Sequence, residues 1–264
     1  MSYEIYHDDC LVKMKEIPDK SIDMILCDLP YETTQAKWDS CLPMSELWDQ
    51  YVRVIKDNCV IVLFGQEPFS SKLRLSNESW YKYDWVWEKN RATNFLNAKN
   101  CPLKTHELIS VFSSGKLRHN TDDSLNRIVY YPQGAVSCNT LCKNHDKKFN
   151  NETMGKCVDA NYTQNTTNYP KSILKFSNNS NDISLHPTQK PVKLLEYLIK
   201  TYTLESQTVL DNCMGSGSTG IACLNTNRRF IGIEKDETFF NVAKERLESH
   251  KKDIDTNIEQ FFVE

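Results

Sequence analysis

Apolar positions along this chain fall into short blocks separated by polar stretches. Seven runs stand out: residues 3–7 (YEIYH), 22–27 (IDMILC), 59–64 (CVIVLF), 83–88 (YDWVWE), 107–112 (ELISVF), 208–211 (TVLD) and 230–234 (FIGIE). They are too short for helices and rich in isoleucine, valine and aromatic residues, so they read as strands, the run at 22–27 as one buried in a parallel sheet. Between them the period changes. Leu47, Tyr51, Val54 and Ile55 share one face of a helix predicted over 43–56. A helix over 191–203 opens on Pro191, a favourable first helical residue, and stripes Leu194, Leu195, Leu198, Ile199 and Tyr202. A last helix, 237–249, buries Phe239, Ala243 and Leu247. Strands alternating with helices predict an α/β fold: an open, mostly parallel seven-stranded sheet with helices on both faces.

Residues 115–185 break this rhythm. They are rich in Asn, Ser and Thr with little apolar period, which predicts a loop-rich inserted lobe. The chain then divides into 1–114, 115–185 and 186–264. The lobe is also where charge departs from the average. The whole chain carries a net charge of -3, but 115–185 holds nine Lys and Arg against six Asp and Glu. That makes it the candidate surface for a polyanion, with Lys147 and Lys148 as its candidate contacts.

Composition alters little else. The chain has 264 residues, 39% hydrophobic and 25% charged, as expected of a globular protein. Several of the ten cysteines, Cys27, Cys59 and Cys223 among them, sit inside apolar runs, as small buried hydrophobes do. The opening MSYEIYHDDCLVKM has no signal-peptide core and no run is long enough to span a bilayer, so reduced thiols and a cytoplasmic setting are expected, and no membrane partner. Cys138, Cys142, His145 and Cys157 could in principle hold a zinc ion, but their spacing fits no standard zinc module, and no metal is assigned.

Candidate chemistry sits where strands end. The run at 22–27 leads into CDLPYETT (27–34), which places an acid, a proline and an aromatic ring at the carboxyl end of a strand, where ligands bind in open α/β sheets. Near the other end, TVLDNCMGSGSTG (208–220) sets Gly215, Gly217 and Gly220 in a G-x-G-x-x-G pattern between a strand and a helix. Glu234 follows nineteen residues after Gly215, where an acid can accept from ribose hydroxyls. The loop alone suits NAD as well as S-adenosylmethionine. Too few residues follow it to build a sheet, so the cofactor half of the fold must come last, with its missing strands supplied from the N-terminal part.

The ordered set of DLPY (28–31), the irregular 115–185, HPTQKP (186–191) and MGSGSTG (214–220) resembles the β-class DNA amino-methyltransferases. The resemblance covers essentially the whole chain and implies a Rossmann-like methyltransferase fold with permuted motif order. It implies methyl transfer from S-adenosylmethionine to adenine N6 in double-stranded DNA, through base flipping. Cytosine N4 remains the alternative target, and a catalytically silent DNA-binding relative the alternative protein. An NAD enzyme would leave DLPY and HPTQKP without roles. Two positions depart from the family: Leu29 replaces a proline and Cys213 a phenylalanine.

By the same resemblance, the Asp28 carboxylate and the Leu29 carbonyl would accept the two N–H groups of the target amine. Pro30 would stiffen the turn and Tyr31 would stack on the flipped base. Asp9, Cys10, Asp28, His186, Thr188, Lys190, Asp211, Met214, Gly215, Ser216, Gly217 and Glu234 would line the cofactor, with Lys190 on its carboxylate. Trp87, Lys89 and Phe95 would join Tyr31 around the target base. Residues 115–185 would recognise the DNA sequence. The length leaves no room for a nuclease, so the chain alone would be a modifier; a separate restriction endonuclease partner and a homodimer are both left open.

Overall fold

The computed structural model describes residues 2–31, 42–117, 126–143, 161–178 and 189–261. Two compact units emerge: residues 1–131 with 172–264, and 132–171.

The larger unit is built on an eight-stranded sheet. Its strands are β1 (Tyr3–His7), β2 (Ile22–Cys27), β3 (Ile55–Gly65), β4 (Tyr81–Thr93), β5 (Lys104–Ser113), β8 (Ile173–Lys175), β9 (Thr208–Asp211) and β10 (Arg229–Glu234), in the order β1-β10-β9-β2-β3-β5-β4-β8. All ladders are parallel except those of β5, which runs against both β3 and β4. All seven expected strands are present. The eighth is β8, three residues at the sheet edge that bury only Leu174 and so leave no apolar run to read.

Alternate side chains of β2 feed two cores. Met24 and Leu26 point to one face, where they meet α4 (Val192–Tyr202), α5 (Ser218–Asn225) and α6 (Glu237–Phe261). Ile25 and Cys27 point to the other, where α1 (Cys10–Lys13), α2 (Met44–Val54) and α3 (Phe69–Ser76) pack. The predicted helices shift at their ends. Ile55 is not on the helix face: α2 stops at Val54, and Ile55 begins β3 with extended backbone. Pro191 stands just outside α4, at its N-cap, and α6 runs on to Phe261.

The chain reverses direction between β9 and β2. From β2 it winds through α2 to β3; from β9 it winds through α5 to β10 on the other side. This switch point, at the carboxyl ends of the parallel strands, is where such sheets bind ligands.

The smaller unit contains an antiparallel pair, β6 (Val136–Lys143) with β7 (Asn161–Thr167). It is narrower than 115–185. Lys116 bridges to Arg127, Tyr131 N–H donates to the Thr201 carbonyl, and 173–175 join the main sheet, so both flanks of the irregular segment belong to the larger unit. Cys138 donates its thiol to the Gln164 carbonyl; His145 and Cys157 lie outside the described residues. No helix among the described residues is long and apolar enough to cross a membrane.

Candidate active site

A cavity of about 660 Å³ opens at the switch point, inside the larger unit. One end is built by loops after β9, β10 and β1. Asp211 ends β9, buried, and accepts from Thr219 Oγ1 (2.6 Å) and Cys213 N–H (3.1 Å). Burial pushes its carboxyl up to about 7 despite those donors. Glu234 ends β10; its two oxygens accept from Gly215 N–H and Asp236 N–H, both at 2.8 Å. Burial outweighs these bonds, and its carboxyl too is raised. Asp9 caps α1 through Leu11 N–H (2.9 Å) and pairs with Lys235 (3.0 Å). Asp9, Cys10, Asp211, Met214, Gly215, Ser216 and Glu234 all line this end.

The two loop glycines differ. Both have left-handed backbone, φ 51° at Gly215 and 77° at Gly217. A side chain at Gly215 would meet nothing within 4 Å, so its open side faces cavity space. At Gly217 it would lie 3.1 Å from the Ala243 methyl of α6. Gly217 is therefore a packing glycine at the α5 N-cap rather than a cavity-lining residue, a correction to the sequence reading.

The other end is built by β2, β3, β4 and β5. Asp28, Leu29, Pro30 and Tyr31 leave β2 along the wall. The Leu29 side chain is buried with Cys10, Ile25 and Leu63. Packing thus anchors the position where the family carries a stiffer proline. Tyr31 leans on Phe69, with centroids 4.8 Å apart, and its hydroxyl donates to Asp28 Oδ1. Lys190 Nζ donates to Asp28 Oδ2 and lies 3.3 Å from Glu107 Oε2. Lys89 donates to Glu107 Oε1 and stands over the Trp87 ring.

Two carboxylates and two ammoniums thus form one network. Burial pushes Glu107 up, but Lys190 and Lys89 outweigh it, so its carboxyl titrates below the usual range. Burial pulls Lys190 down, but Asp28 and Glu107 more than restore it. Burial raises Asp28 despite Lys190. The ammonium of Lys190 is therefore engaged at the Asp28 end, where the sequence reading put it on a cofactor carboxylate.

Asp28, Tyr31, Trp87 and Lys89 share one wall of the cavity, and Lys190 joins them there through Asp28 and Glu107. Phe95 does not: it lies outside the cavity on the loop after β4 and is 66% exposed, a second correction. His186, Thr188, Lys147 and Lys148 lie outside the described residues. Glu107 and Gln66 were missed. Each is a polar residue at the cavity end of an apolar strand, the same signal that marked Asp28.

A doubly wound sheet with an acid-proline-aromatic turn at one end of a cleft and a glycine loop with a buried acid at the other defines an α/β protein with a ligand cleft at its switch point. The family described as DNA methylase matches residues 22–245, and the chain belongs to it. It is 25% identical to the Type II methyltransferase M.HindIII of Haemophilus influenzae, over 97% of this chain and 98% of that one. It is 26% identical to M2.DpnII of Streptococcus pneumoniae, over 94% and 90%. The fold matches the crystal structure of an M1.HpyAVI-SAM complex (TM-score 0.62, 23% identity, 93% of this chain and 98% of that one). It also matches the cytosine-N4-specific PvuII DNA methyltransferase (TM-score 0.62, 15% identity, 92% and 86%).

Proposed function

We propose that the chain methylates adenine N6 in double-stranded DNA with S-adenosylmethionine as the methyl donor. The observation that carries this reading is Asp28: a carboxylate on the cavity wall at the end of β2, beside a half-buried tyrosine ring, in the same cavity as the glycine loop. S-adenosylmethionine supplies an electrophilic methyl on a sulfonium. Its fit rests on the open face of Gly215, the Glu234 carboxylate for ribose hydroxyls, and Asp211, whose buried carboxyl would be drawn into its anionic form by a cationic ligand.

An exocyclic amine is a weak nucleophile because its lone pair is delocalised into the ring. Asp28 accepts one N–H and the main-chain carbonyl of Leu29 the other. That favours a pyramidal nitrogen whose lone pair is free to attack. Asp28 already accepts from Tyr31 and Lys190, so the amine replaces or shares one of these donors. After transfer the nitrogen carries an extra proton, and Asp28 is the adjacent base to take it. The Tyr31 ring holds the base after it has left the duplex. Residues 115–185, net-basic in the sequence and containing the smaller unit 132–171, are assigned to target recognition. The aspartate heading the motif favours adenine over cytosine. The names of the Type II methyltransferase relatives support a DNA-modification role.

The test is nucleoside mass spectrometry of DNA from a methylation-free host expressing the chain. N6-methyladenine should appear and should vanish with Asp28→Ala. N4-methylcytosine would move the target to cytosine. No methylation from a protein that binds S-adenosylmethionine would leave a DNA-binding relative without activity.

A further inference from the structure

β4 and β5 carry Lys89, Thr93 and Glu107 into the cavity wall and then run past it, with Thr93 opposite Lys104. The loop between them, 94–103, is a built knuckle. Asn94 takes left-handed backbone (φ 72°), which an asparagine tolerates. Asn97 N–H donates to the Asn94 carbonyl (3.1 Å), Cys101 N–H to the Asn97 carbonyl (3.0 Å), and Asn97 Nδ2 to Asn94 Oδ1 (2.8 Å). These bonds hold two large apolar side chains out in solvent: Phe95 is 66% exposed and Leu96 fully exposed. Arg91 and Lys99 flank them, and no acid occurs between Glu88 and Glu107. An apolar tip with cations on both sides of it in the chain, held by a hydrogen-bonded loop next to the cavity-lining Thr93, matches a polyanion with an apolar interior.

We infer that this knuckle is a wedge for duplex DNA: Leu96 and Phe95 enter the base stack where the target base has left it, and Arg91 and Lys99 rest on the flanking phosphates. The inference rests on the base-flipping reading of the site and adds a device that reading did not contain. Apolar side chains inserted between base steps fill the space and keep the extruded base from returning.

The test is single-turnover methylation with Phe95→Ala/Leu96→Ala on two duplexes. Both carry the site identified by sequencing DNA modified in cells; in one the target base is paired, in the other it faces an abasic position. The double variant should lose ten- to a hundredfold on the paired duplex and less than about threefold on the other, where the stack is already broken. Calorimetric binding of S-adenosylmethionine and the thermal midpoint should not move. Arg91→Ala/Lys99→Ala should weaken binding to both duplexes and flatten its salt dependence. Equal losses on both duplexes, or wild-type rates on both, would overturn the wedge. So would a dimer-to-monomer shift in sedimentation accompanying equal losses, which would assign the tip to a second copy of the chain. A wild-type chain that binds S-adenosylmethionine and methylates neither duplex would overturn the activity itself, and the wedge with it.

Discussion

Replacing Glu107 with glutamine removes one charge from the four-membered network and almost no volume. Glu107 is 5% exposed and faces both Lys89 and Lys190, while Lys190 also serves Asp28. Two carboxylates balance two ammoniums; the substitution leaves one buried positive charge uncompensated. Breaking a buried pair from one side costs about 3–5 kcal/mol, and glutamine, which keeps one acceptor, belongs near about 3. At about 2–4 °C per kcal/mol for a chain of this size, the thermal midpoint should fall by roughly 6–12 °C. Lys190, released from Glu107, should lean further on Asp28 and weaken it as an acceptor. Turnover should then fall about tenfold, equivalent to about 1.4 kcal/mol, while the affinity for S-adenosylmethionine stays within about twofold. The decisive measurement adds Lys89→Met, which restores neutrality. The double variant should recover at least half of the lost midpoint, by differential scanning calorimetry at pH 7. A single variant within about 1 °C of wild type, or a double variant lower than the single, would refute the charge-balance argument.

Asp28→Ala should abolish transfer with cofactor affinity nearly intact in calorimetry; more than about a tenth of wild-type turnover would remove Asp28 from the mechanism. Gly217→Val should lower the thermal midpoint through its contact with Ala243, whereas Gly215→Val should weaken calorimetric binding of S-adenosylmethionine by tenfold or more with a smaller thermal effect; the reverse assignment would show that the two glycines face the other way. Tyr31→Phe should stay within about threefold of wild type. Tyr31→Ala should lose ten- to a hundredfold in single-turnover rate, since base–aromatic stacking is about 1–3 kcal/mol; equal damage from both would point to the hydroxyl on Asp28. The folded carboxyl of Asp211, near 7, lies above its unfolded value of about 3.9, so its stabilising contribution is complete below that value and lost as pH rises through 7. Stability measured by urea unfolding should accordingly fall less between pH 5 and pH 8 in Asp211→Asn than in wild type; identical slopes would place the titration elsewhere.

Seven strands were legible as short apolar runs, most clearly β2, which is buried along its whole length and therefore almost continuously apolar. The polar residues that end them were legible because ligands bind at the carboxyl ends of parallel strands, although Asp9 and Glu234 also accept hydrogen bonds from the turns that follow them. What escaped had specific physical causes. α5, expected only as the helix the glycine loop opens, is buried from Ser218 to Leu224 and so shows no amphipathic period that would fix its bounds. The pairing of Glu107 with Lys190 joins β5 to the loop before α4, and no local pattern records it. The glycine pattern cannot say which glycine turns its open side to a ligand and which to a helix; only the placement of Ala243 decides. Phe95 looked like a pocket residue because it lies in the segment with Trp87 and Lys89, but the left-handed turn at Asn94 carries it outward.

The central seam of the sheet pairs Met24 with Val209 and Ile25 with Leu210. These partners stand 185 residues apart, so the join must be made across almost the whole chain, and loop closure of that kind is slow. During synthesis the Asp28 turn emerges early, in a fragment that still lacks the strands beside it and the glycine loop opposite it. Such a nascent chain carries Asp28 without the rest of the cavity wall. Until the last third has been made and docked, the cavity around Asp28 lacks the walls supplied by β9, β10 and the glycine loop. A ligand gripping the loops on both sides of the seam would act as a clamp on that late step, tying the chain's beginning to its end.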